Sequence, residues 1–168
     1  MPCTACCEGW LTAEDILGHE LRPGHPCPHS KPEGCMVYAQ RPQVPCRSFI
    51  CSWLVKDSPL PDWMRPDLSG AIVLLSLPWE NERIISAVPV GEKIPDATLE
   101  WLQAYARTHQ RPMIFYQRLV VDGRFQGLKR MGYGPAAFRD KVASLGLTAE
   151  DAGLAMGGVA PGPSGPAS

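Results

Sequence analysis

The sequence predicts an α+β protein in which a cysteine-rich N-terminal segment packs on a small antiparallel sheet carrying two or three helices. Three observations carry that prediction. All seven cysteines of the 168-residue chain fall at or before Cys51. Two pairs of β-branched, apolar runs follow them, and a long stretch with helical period lies between the pairs. The cysteine-rich part covers residues 1–57, a proline-rich connection 58–69, the sheet and helices 70–157, and a tail of disordered composition 158–168.

From the N-terminus, LTAEDILGHEL at 11–21 predicts a short helix, since Thr12 and Asp15 stand where a hydroxyl and a carboxylate accept free N–H groups of a first turn. RPGHPCPHSKPEG holds four prolines and two glycines in thirteen residues, so it predicts a loop ordered by something other than regular backbone bonding. Tyr38 to Gln40 suit a helical turn that stops before Arg41-Pro42, because the residue before proline avoids helical backbone angles. SPLPDWMRP then connects to the second half.

AIVLLSL and RIISAVPV predict a hairpin closed by a loop of about five residues. PDATLEWLQAYARTHQ predicts a helix, with Leu99, Leu102, Tyr105 and Ala106 at helical spacing behind Pro95 and Asp96. MIFYQRLVV and RFQGLKRM meet at Asp122-Gly123, the pair that a type I′ turn favours because both of its central residues take positive φ. Gly134-Pro135 opens a further helix with Phe138, Val142 and Leu145 on one face. LTAED recurs at 147–151 and nucleates a last short helix, but with nothing similar on either side the two copies are independent helix starts.

Charge excludes some partners. Sixteen basic residues against seventeen acidic ones give a net charge of −1, with no excess to draw the chain onto nucleic acid or an anionic membrane. The first residues lack a basic stretch followed by an apolar one, and AIVLLSLPW is about half the roughly 20 residues that a membrane span needs. The expected address is the cytoplasm, where ordinary thiols stay reduced and a cysteine pattern points to metal or to chemistry.

A zinc ion or an iron–sulfur cluster takes about four soft ligands, commonly from pairs on separate loops. Cys3 and Cys6 form a C-x2-C pair, with Cys7 turned aside by its adjacency to Cys6, and Cys27, Cys35, Cys46 and Cys51 follow. His25 and His29 flank Cys27 and extend the candidate ligands to nine, enough for two ions or for one polynuclear centre. On this reading the N-terminal segment is metal-organised by zinc or iron, the iron as ions or as an iron–sulfur cluster. A closed structural zinc site in a protein-interaction adaptor that uses the metal only for folding, an iron-dependent redox enzyme, a metal store, and disulfides or inert thiols are the alternatives. Arg41 and Arg47 are placed to offset thiolate charge, and Trp10, Phe49 and Trp53 to pack around the site. No phosphate-loop, dinucleotide or nucleophile-elbow motif is present, and Glu80 and Glu82 read as solvated.

The cysteine pattern resembles the YkgJ-like cysteine-cluster family, described as a zinc- or iron-chelating domain. The matching elements are Cys3-x2-Cys6-Cys7, Cys27-Pro28, Gly34-Cys35, Val37-Tyr38, Arg41-Pro42 and Cys46-Arg47 with Phe49. They span about a third of the chain. Two departures stand out: the opening lacks the family's first cysteine, and Pro45 adds one residue before Cys46. The resemblance implies metal binding more strongly than any reaction, and leaves the protein partner unknown.

Overall fold

Both faces of one four-stranded sheet are covered, which is why two of its strands read as almost unbroken apolar runs. The structure is a computed structural model that describes residues 3–13 and 16–145. The sheet consists of β3 (Ala71–Trp79), β4 (Glu82–Pro89), β5 (Met113–Val121) and β6 (Arg124–Tyr133), in that spatial order. A two-stranded ribbon, β1 (Ser30–Lys31) and β2 (Gly34–Cys35), precedes it, and the helices are α1 (Pro66–Ser69), α2 (Asp96–Thr108) and α3 (Ala136–Ser144).

The α+β class holds, but the sheet is mixed rather than antiparallel. β4 and β5 run parallel, with Ile85 opposite Met113 and Ala87 opposite Phe115. A parallel pair needs a crossover, and α2 provides it. The other two pairs are antiparallel hairpins. That of β5 and β6 turns at Asp122 and Gly123, both at positive φ (50° and 72°), as the Asp-Gly pair predicts. That of β3 and β4 turns more tightly than expected, since the strands extend through Pro78, Trp79 and Glu82.

Alternate residues of the strands face opposite layers. Ala71, Val73, Ile85, Ala87 and Met113 pack under Leu102 and Ala106 of α2, together with Leu60 and Met64 of the connection. Ile72, Ile84, Ile114 and Leu128 face the other way, against Phe138 and Val142 of α3 and against Ala5, Leu11 and Cys51 of the N-terminal segment. One core therefore joins the cysteine-rich segment to the sheet. The Thr98 hydroxyl donates to the Ser69 carbonyl at 2.7 Å, both residues buried, and so pins α2 to the turn before β3.

Among the described residues of LTAEDILGHEL, where a helix is predicted, none forms. Ala13 instead exchanges backbone hydrogen bonds with Leu21 (2.9 and 2.8 Å), and Ile16 with His19 (2.7 and 3.1 Å), around Leu17 and Gly18 at φ of 54° and 81°. Gly18 tolerates the left-handed turn, and folding back buries Ile16 and Leu21 together. The turn at Tyr38–Gln40 and the helices α2 and α3 lie where the sequence places them. The helix predicted at 147–151 and the 158–168 tail lie outside the described residues. Among the described residues no helix is long and apolar enough to cross a membrane.

Candidate metal centre

A 3-10 helix, Ala5–Glu8, carries Cys6 and Cys7. At three residues per turn, neighbours on such a helix point a third of a turn apart, so the two thiols diverge. Gly9 ends the helix at φ 88°, and its backbone lies so close to the Arg22 carbonyl that a Cβ there would fall 2.2 Å from that oxygen. The turn is thus seated directly on the loop that leads to Cys27, whose N–H donates to the Cys7 carbonyl at 2.8 Å.

The ribbon brings in the next thiol. Cys35 of β2 pairs with Ser30 of β1, and the Ser30 N–H donates to the Cys27 carbonyl at 3.0 Å. Cys46 sits in a helical turn over Gln43–Arg47 that the extended Val44 interrupts. Cys51 is buried and precedes a 3-10 turn, Ser52–Leu54, in which the Ser52 hydroxyl accepts the Leu75 N–H of β3 at 2.7 Å. Cys51 is thereby fixed against the sheet.

These segments enclose a cavity of about 770 Å³, and all seven cysteines stand on its wall. His29 lines it as well. His25 does not: its side chain is exposed, and its backbone is bonded to that of Arg22. Of the nine candidate ligands, the structure therefore brings together eight. Arg41, Arg47, Phe49 and Trp53 also line the cavity, as their positions in the sequence suggest. The Arg41 guanidinium lies 3.6 Å from the centre of the Tyr38 ring and donates to the Tyr38 carbonyl, while Arg47 donates to the Ala39 carbonyl. Trp10 is elsewhere, beneath Arg118 of β5.

Burial raises five of the seven thiols, Cys3, Cys6, Cys7, Cys46 and Cys51. Burial pushes Cys7 up to about 11, and the sulfurs of Cys27, Cys35 and Cys46 add to the rise while the Arg41 charge opposes it. Burial also raises Cys46, again reinforced by Cys27 and Cys35. Cys6 is raised well above the usual thiol value by burial and then by Cys51, Cys7 and Cys3, and burial raises Cys3 and Cys51 too.

Two charged residues that sequence reasoning overlooked stand beside Cys3. Its thiol is within hydrogen-bond reach of Asp67 on α1, and Asp67 is held by Arg65 through bonds of 2.6 and 2.9 Å that keep its carboxyl below the usual range. Their separation from Cys3 by more than 60 positions left no spacing signal to find them by.

The donor set suits zinc or iron, because soft sulfurs from separate segments share one cavity and each must lose a proton to bind. Among the described residues no group of three or more His, Cys, Asp or Glu side chains is already disposed to hold an ion, so loading requires the side chains to close on it. No family model, curated protein or solved structure matches the chain.

Proposed function

We propose that the protein binds zinc or iron through its N-terminal cysteines. The observation that carries this reading is the convergence of seven thiols, from stretches spread over residues 3–51, on the wall of one cavity. An inert cysteine behaves as a small apolar residue and has no need to line a space shared with other thiols. Here they face a shared space with Arg41 and Arg47 on its rim, cations suited to offset the negative charge of a thiolate centre. The resemblance of residues 3–51 to a chelating family points the same way. Bound zinc would cross-link the segment, and bound iron would add redox chemistry.

The reading is tested by purifying the full chain anaerobically, measuring zinc and iron by elemental analysis, and recording the absorption spectrum. At least one ion per chain, removed by a chelator, is the expected result. Bound zinc without visible absorption identifies a zinc centre, and visible thiolate-to-iron absorption identifies an iron centre. A chain that holds neither metal after anaerobic reconstitution with each rules chelation out.

A further inference from the structure

The seven thiols are not one cluster. Packing divides them: Cys7, Cys27 and Cys46 gather with Ile16 and Leu21 in the outer loops, whereas Cys3, Cys6 and Cys51 join the core that includes Ile72, Ile84 and Ile114 of the sheet. Cys35 belongs with the outer set through the ribbon, since its partner Ser30 bonds the Cys27 carbonyl. The 3-10 helix explains the split at its root, because it turns the adjacent Cys6 and Cys7 to different sides.

We infer that the cavity holds two separate metal centres, one of four thiols formed by Cys7, Cys27, Cys35 and Cys46, and one of three thiols formed by Cys3, Cys6 and Cys51 against the sheet. This inference rests on the chelation reading and adds the number of sites and the ligands of each. The electrostatics follow the same partition. Cys7 and Cys46 feel Cys27, Cys35 and the charge of Arg41, whereas Cys51 feels Cys3, and Cys3 couples to Arg65 and Asp67. Each set thus has its own arginine. The sets meet at Cys6 and Cys7, which are adjacent in the chain and whose thiols couple.

The donor counts give the centres different characters. Four thiolates complete a tetrahedral shell and leave a divalent ion no open position, which is the character of a structural site. Three thiolates leave a fourth position for a non-cysteine ligand, and Asp67, within hydrogen-bond reach of the Cys3 thiol, is a carboxylate beside that set. The three-thiol centre is therefore the one able to exchange a ligand.

The test adds Zn2+ anaerobically to the metal-free full chain in stepwise equivalents, alkylates free thiols at each step, and maps the modified cysteines by mass. Saturation at two ions is expected, and at one equivalent the protected residues should be all four of one set or all three of the other. Saturation at one ion overturns the two-centre inference while keeping chelation, as does joint protection of Cys27 with Cys51 at one equivalent. Failure to bind zinc at all removes both. In a second arm, Cys46→Ser and Cys51→Ser should each retain one of the two ions, with protection confined to the untouched set. Loss of both ions from a variant whose circular dichroism still shows the folded sheet overturns the independence of the sites.

Discussion

The guanidinium of Arg118, on β5, donates to the carbonyl of Trp10 at 2.5 Å and lies 5.0 Å from the centre of the Trp10 ring. Its own backbone N–H donates to Glu92 at 2.7 Å, so one residue of the sheet grips both the N-terminal segment and the loop before α2. The side chain is only 5% exposed, and burial lowers its pKa to about 10. Its Nε and second terminal nitrogen have no hydrogen-bond partner among the described residues. A buried cation so sparsely satisfied is costly, and Trp10 gives it its carbonyl and its ring.

Arg118→Ala removes that grip and leaves the Trp10 carbonyl without its donor. A lost hydrogen bond to a charged group is worth about 1.5 to 3 kcal/mol, and the vacated space adds to it. Limited proteolysis should cut the variant near Trp10 sooner than the parent, with the urea midpoint lowered. Unchanged cleavage would show that the segment is held by its apolar contacts alone.

The metal-free chain should lose stability in alkali. Cys7 titrates near 9 when unfolded and near 11 when folded, so between those values the folded state holds a proton that the unfolded state has released. With fewer protons on the unfolded state, stability falls as pH rises. The contribution is complete below about 9 and gone above about 11. Urea midpoints taken across that window, with and without Cys7→Ala, check the sign: the variant should show the shallower decline.

Gly9→Ala should damage the candidate centre without touching a ligand. A left-handed φ costs a non-glycine residue about 1 to 2 kcal/mol, and the 2.2 Å approach to the Arg22 carbonyl forces the backbone apart as well. Bound metal per chain should drop, and Cys7 and Cys27 should alkylate faster. Gly24→Ala is the comparison, because a Cβ there meets nothing within 4 Å.

Thr98→Val separates sheet stability from metal binding. It leaves the buried Ser69 carbonyl without its donor, at a cost of about 1 to 3 kcal/mol. The thermal midpoint should fall while zinc or iron content stays at the parent level. A parallel loss of metal would mean that α2 and the thiol cavity are coupled across the sheet.

The legible parts of the fold were those written in local chemistry. Asp122-Gly123 specifies its own turn, and the period of Leu99, Leu102 and Ala106 specifies α2. The parallel pairing of β4 with β5 was harder to see, because two strand pairs that each read as hairpins leave their mutual direction to the connection. The signal was the helix between them: strand, helix, strand is the pattern of a crossover. Thr12 and Asp15 read as a helix start, yet burying Ile16 with Leu21 and Cys27 favoured a turn over a short helix on its own. For the candidate centre, residue type disclosed the seven thiols, and even the divergence of Cys6 from Cys7. Asp67 reaches Cys3, and Arg118 reaches Trp10, only through tertiary packing, which no spacing records.

Trp10 and Arg118 are 108 positions apart, and the strands beneath Ala5 and Cys51 likewise come later in the chain. On the ribosome, at about 5 to 20 residues per second, roughly 5 to 20 seconds pass between the synthesis of Trp10 and that of the arginine that will hold it. During that interval every cysteine of the protein has been made, and the surface that shelters Cys51 has not been completed. The nascent chain thus offers its sulfurs to whatever metal or oxidant surrounds it before the finished architecture can choose between them.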